Sequence, residues 1–126
     1  MVSTPVKESQ TLSVTYGTDG TKIASGNTTP GATNWQQYSD GIYLEVDTSA
    51  AGFTKTPRYL TSISGDRDHY GTTGASSVYK ATATGFRIQI RWEKDYKTDT
   101  LTPELANTNK WHINWIAIEP SSGQGS

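Results

Sequence analysis

Apolar and polar side chains alternate at every second position in the stretches that carry most of this chain's bulk, and that period constrains the fold more than any other feature. Phe86, Ile88, Ile90 and Trp92 fall on one side of an extended backbone, with Arg87, Gln89, Arg91 and Glu93 on the other. Leu12, Val14 and Tyr16 alternate with Ser13 and Thr15, and Ile42, Leu44 and Val46 alternate with Tyr43, Glu45 and Asp47. Tyr59 to Ser64 continues the pattern behind Pro57, and Ser77 to Ala81 repeats it weakly. Near the end, Trp111, Ile113, Trp115 and Ala117 alternate with His112, Asn114, Ile116 and Ile118. That run becomes apolar on both faces, as a central or interface strand does. Helical spacing is confined to Pro103-Glu104-Leu105-Ala106, enough for one turn.

Composition points the same way. Of 126 residues, 20 are Thr, 13 Ser and 12 Gly. Thr is β-branched and suits pleated strands, while Gly and Ser suit turns. Thr18-Asp19-Gly20 reads as a hairpin connection, and Ser39-Asp40-Gly41 opens the strand that follows it. Ser64 to Gly74 is a long loop carrying His69 and Tyr70, and Lys94 to Asn109 is longer than an ordinary connection. The expected fold is all-β: a six-stranded, or slightly larger, antiparallel β-sandwich. One domain is expected over residues 10–119, with a flexible segment at 1–9 and a flexible tail at 120–126.

Several function classes are disfavoured at once. A formal charge of −1 lacks the basic footprint of a nucleic-acid or anionic-membrane binder. No apolar run approaches the roughly 18 to 20 residues needed to cross a bilayer, and residues 1–10 lack the apolar core of a secretory leader. Disorder would suit the mean hydropathy of −0.63, but four Trp, seven Tyr and two Phe argue for a packed core. The absence of Cys removes disulfide scaffolds, thiolate catalysis and cysteine-bound zinc.

Catalytic constellations are thin. The two histidines, His69 and His112, have no nucleophile motif beside them, and Gly-x-Ser-x-Gly is absent. Phosphate-cradling glycine patterns are missing as well. Asp66, Asp68 and His69 are close enough to gather round a divalent ion such as calcium, but the segment lacks the ligand ladder of a calcium loop and reads more simply as a solvated acidic loop. A non-catalytic protein without a cofactor is expected. Binding has better support. Tyr38, Tyr70 and Tyr96 stand in loops beside Asp40, Asp68 and Asp95. Aromatic faces cover the C–H patches of sugars while carboxylates accept hydrogen bonds from their hydroxyls. The same tyrosines would serve equally well as caps on a sandwich end.

Four blocks then stand in an informative order: Trp35 to Asp40, Gly52 to Ile63 with its Pro57, Ala83-Thr84-Gly85-Phe86 running on to Trp92, and Ile113-Asn114-Trp115-Ile116-Ala117-Ile118. Together they resemble the H-type lectin family over residues 25–119. The resemblance implies a sandwich that trimerises, sometimes as two trimers back to back. It implies galactose or N-acetylgalactosamine glycans as ligands, bound in clefts between protomers, with avidity compensating for weak single sites. It implies a role for an acidic residue after the first Trp, here Asp40, and for the residues at the end of the Thr-Gly-Phe strand, here Trp92 and Glu93. A His commonly follows that Trp in the family, where this chain has Glu93. A sugar-contacting Arg of the family would fall near Thr73, where this chain has no Arg, and Arg67 in the preceding loop could substitute for it.

The expected sugar-binding set is therefore Asp40, Gly41, Arg67, His69, Tyr70, Trp92, Glu93 and Tyr96. The expected partners are glycans or glycoconjugates and further copies of the chain, with action outside the cell or at its surface. The competing expectation is a non-catalytic structural or oligomerisation module of a larger extracellular or virion-like assembly. The apolar Ile116 and Ile118 fit a subunit seam in either case.

Overall fold

A computed structural model describes residues 12–121. Of the ends expected to be flexible, residues 1–9 and 122–126 lie outside the described residues. The strands are β1 (Leu12–Tyr16), β2 (Lys22–Asn27), β3 (Gln36–Tyr38), β4 (Gly41–Asp47), β5 (Arg58–Ser64), β6 (Thr72–Thr73), β7 (Val78–Thr82), β8 (Gly85–Trp92) and β9 (His112–Glu119), with one helix, α1 (Pro103–Thr108). They form two antiparallel sheets: β1-β2-β9-β5, and β3-β4-β8 with β6 and β7 both on the far flank of β8. The chain is an all-β antiparallel sandwich.

Alternation sets what each sheet buries. Ile42, Leu44, Val46, Phe86, Ile88 and Ile90 point inward from one sheet, and Ala24, Tyr59, Ile113, Trp115 and Ala117 from the other. The Trp115 ring lies across Gly26, where an added Cβ would sit 3.0 Å from its Cζ2. The same ring meets Tyr59 and Phe86 edge-on, at centroid distances of 6.4 and 6.3 Å. The Tyr59 hydroxyl crosses between the sheets, donating to the Thr82 carbonyl at 2.7 Å, and burial raises its pKa above that of free tyrosine. Pro57 precedes β5, an edge strand, where a missing N–H costs little.

The described residues hold nine strands, three more than the six counted from the sequence. β3 and β6 have three and two residues, too few for a period to register. β2 reads Lys-Ile-Ala-Ser-Gly-Asn, and only Ala24 in it is fully buried because Trp115 fills the space beside Gly26. The Lys94 to Asn109 segment also differs from an open loop. Leu101 and Ala106 are wholly buried, and Thr102 caps α1 by accepting from the Leu105 N–H at 3.2 Å. Pro103 sits in the first turn of the helix, where its lack of an N–H is harmless. Asn107 ties the helix to Thr33 through both the backbone N–H and the carbonyl of that residue. The segment is a folded plug over one end of the core.

Candidate functional site

On β8, the side chains that turn away from the core are Arg87, Gln89 and Arg91, and the neighbouring elements build walls around the last two. The β3–β4 hairpin is closed by Ser39 and Asp40, with Ser39 in the left-handed region at φ 56°. Gln37 fixes this turn: its Nε2 donates to the carbonyls of Ser39 (3.3 Å), Gly41 (3.0 Å) and Leu101 (2.9 Å). The plug segment thereby holds the hairpin in place without entering the space beside it.

Two glycines let the backbone close in. A Cβ on Gly41 would collide with the Ile90 carbonyl and lie 3.2 Å from the Cβ of Arg91. A Cβ on Gly74, whose φ is +109°, would collide with the Gln89 carbonyl. The hairpin and the turn after β6 are thus pressed against β8 from opposite sides. Between them lies a cleft of about 470 Å3, within the size range of small-ligand sites. Tyr38 and Tyr79, 52% and 47% exposed, line it. Asp40, Gln89 and Arg91 supply charge and amide groups, and Thr73 and Ser77 supply hydroxyls.

Electrostatically, the cleft keeps one anion and one cation apart. Neither Asp40 nor Arg91 takes part in an ion pair or side-chain hydrogen bond among the described residues. Arg87, on the same face of the same strand, differs: Glu45, directly across in β4, pairs with it, and the Tyr43 ring lies 4.3 Å below its guanidinium.

The remaining expected site residues lie elsewhere. Trp92 turns inward, opposite to Arg91, and its ring packs on Trp111 and Tyr96 at 5.6 and 5.4 Å. Its indole N–H donates to the Asp99 carbonyl at 3.0 Å, and that of Trp111 donates to the Arg67 carbonyl at 2.8 Å. Tyr96 donates to Asp68 Oδ1 at 3.1 Å and meets Tyr70 edge-on at 5.4 Å. Hydrogen bonding with Tyr70, then burial, then the Asp68 carboxylate raise the pKa of Tyr96 above the ordinary phenol value. The backbone N–H of Glu93 donates to the Gly71 carbonyl at 2.7 Å, and Nδ1 of His69 is buried with no hydrogen-bond partner among the described residues. Asp68 is further approached by Lys97 at 3.9 Å.

The eight residues expected to form one site therefore separate. Asp40 and Gly41 line the cleft, whereas Arg67, His69, Tyr70, Trp92, Glu93 and Tyr96 do not. Strand parity accounts for Trp92, one residue beyond Arg91, because one step along a strand moves a side chain to the other face. Arg67, His69 and Tyr70 lie instead in the connection before β6, and Glu93 and Tyr96 in the one after β8. Of the three tyrosines expected in loops, Tyr38 is instead the last residue of β3 and borders the cleft, Tyr96 caps the sandwich end, and Tyr70 packs on Tyr96 while remaining 79% exposed. The segment from Lys94 to Asn109, longer than an ordinary connection, contributes no residue to the lining of the cleft because Leu101 and Ala106 draw it into the core. Tyr79, Gln89 and Arg91 were missed as site residues, although the polar face of β8 had been marked by its alternation. Arg91 stands directly across from Thr73, the position where the resemblance calls for an arginine. No family model, curated protein or solved structure matches this chain.

Proposed function

We propose that this chain is a carbohydrate-binding lectin module for galactose- or N-acetylgalactosamine-type glycans, similar to the H-type lectins and acting multivalently as a trimer or a dimer of trimers. The observation that carries the reading is the cleft flanked by Tyr38 and Tyr79, with Asp40, Gln89 and Arg91 left available for a ligand. Aromatic surface, a carboxylate to accept from hydroxyls and a guanidinium to donate to ring or hydroxyl oxygens are what a hydrated, amphipathic pyranose needs. Arg91 offers the guanidinium that Thr73 lacks. The site is shallow and polar, so a single copy is expected to bind weakly and several copies on one assembly to bind usefully. Saturation-transfer NMR with methyl galactoside and N-acetylgalactosamine tests this. Binding by the wild type that disappears in Asp40→Ala, with the oligomer mass unchanged, supports the reading. Binding unaltered in that variant removes Asp40 from the site.

A second reading, a structural or oligomerisation module, is favoured by the outer face of the other sheet. Leu60 and Ile116 face one another across β5 and β9 and are 61% and 38% exposed, and Ile118 lies on the same face. Solution mass measured by light scattering separates the two readings. An assembly that Leu60→Asp dissociates, combined with no response to sugars, would favour the structural role.

A further inference from the structure

We infer that the cleft selects a saccharide carrying a carboxylate over its neutral counterpart, with Arg91 as the residue that reads the acid. This inference rests on the lectin reading and narrows it to acidic glycans.

Two arginines, Arg87 and Arg91, stand on the outer face of β8. Arg87 is neutralised: Glu45 occupies the cross-strand position and Tyr43 covers the guanidinium. Four residues earlier than Glu45 on β4, next to Arg91, stands Gly41. On the other flank of β8 the residue paired with Arg91 is Thr73. Both cross-strand places that could hold a counter-ion therefore hold residues without charge. No substitution at Gly41 alone could supply one, because any Cβ there meets the Ile90 carbonyl. The nearest carboxylate lining the cleft, Asp40, does not come within ion-pair distance of Arg91.

An exposed guanidinium with no internal partner, beside a cleft, keeps its full donor set for a ligand. Its planar fork matches a carboxylate with two parallel hydrogen bonds, which a single sugar hydroxyl cannot reproduce. Toward a neutral sugar Arg91 is one donor among several, beside Gln89 and the hydroxyls of Thr73 and Ser77. What Arg91 adds is charge. Asp40, the other charged group lining the cleft, accepts from ring hydroxyls and repels the acid, so that the carboxylate is directed to the Arg91 guanidinium.

The test titrates the full chain with methyl galacturonoside, its uncharged carboxamide and methyl galactoside, read by saturation-transfer NMR. The wild type is expected to bind the acid about tenfold more tightly than the carboxamide. That preference should shrink as salt rises from about 0.1 M to about 1 M. Arg91→Gln, which keeps amide donors and loses the charge, should bind acid and carboxamide alike, and Arg91→Lys should retain part of the preference. Equal binding of all three sugars by the wild type would overturn this inference while leaving the lectin reading intact. Binding of none of the three would remove both.

Discussion

Replacing Gly41 with alanine tests whether the cleft is built by backbone pressed against backbone. The backbone of Gly41 is not in the left-handed region, so alanine there strains no torsion. The cost comes from the added methyl, which would strike the Ile90 carbonyl and crowd the Arg91 stem. Forcing an extra carbon into a packed contact costs about 1–3 kcal/mol. At this chain length that corresponds to roughly 3–5 °C of melting temperature per kcal/mol. Gly74→Ala combines the same kind of collision, with the Gln89 carbonyl, and a φ of +109°. Its expected cost is about 2–5 kcal/mol once about 1–2 kcal/mol of backbone strain is added. Gly20→Ala is the control. Its φ is +91°, but its Cβ would meet only the Ser121 side chain, so backbone strain of about 1 kcal/mol is all that is expected. Thermal unfolding followed by tryptophan fluorescence ranks the three. An alanine at Gly41 within about 0.5 kcal/mol of wild type, or one at Gly74 no worse than one at Gly20, would refute the close approach that shapes the cleft.

Two further predictions concern groups away from the cleft. Glu119 is buried; burial alone would raise its pKa, but the N–H groups of Lys55 and Thr54, the Thr54 hydroxyl and nearby Lys22 outweigh that and hold it below the ordinary glutamate value. Its contribution to stability is therefore fully present above the unfolded glutamate pKa of about 4.3 and is lost as pH falls through the lower folded value. Glu119→Gln should cost about 1–2 kcal/mol at neutral pH and flatten the acid limb of the stability profile measured by urea unfolding at a series of pH values. At the sandwich end, Tyr70→Phe should lower the alkaline titration of Tyr96 seen by ultraviolet difference spectroscopy, because Tyr70 is the largest cause of its raised pKa. An unchanged titration curve would disconnect the two phenols.

The sandwich itself was legible because its long strands each bury a row of large side chains. β4, β8 and β9 show the two-residue period along their length, and all three bury that row in the structure. β2 escaped notice because the volume it needs is supplied by a tryptophan on another strand. Small residues at Ala24 and Gly26 make sense only once Trp115 is placed against them. The site was legible in part. Asp40 and Gly41 were marked by turn chemistry and family resemblance, and both line the cleft. In the sequence Gln89 and Arg91 read only as the polar side of a strand and Tyr79 lies in a weakly alternating run, and which part of a sheet face becomes a cleft depends on the flanking hairpin and turn. The remaining expected residues were aromatic and charged loop positions, a composition shared by sugar platforms and by the hydrogen-bonded caps that close a sandwich end. Trp92 and Tyr96 took the second role once their N–H and O–H groups found Asp99 and Asp68.

Amide chemical-shift mapping of the isotopically labelled protein, titrated with methyl galactoside and methyl galacturonoside, is the most direct test of where ligands bind. The account predicts shifts concentrated at residues 38–41, 73–79 and 89–91, with the far sheet unmoved. Shifts confined to the Tyr70, Trp92 and Tyr96 end, or none at all from the folded protein near sugar saturation, would contradict it.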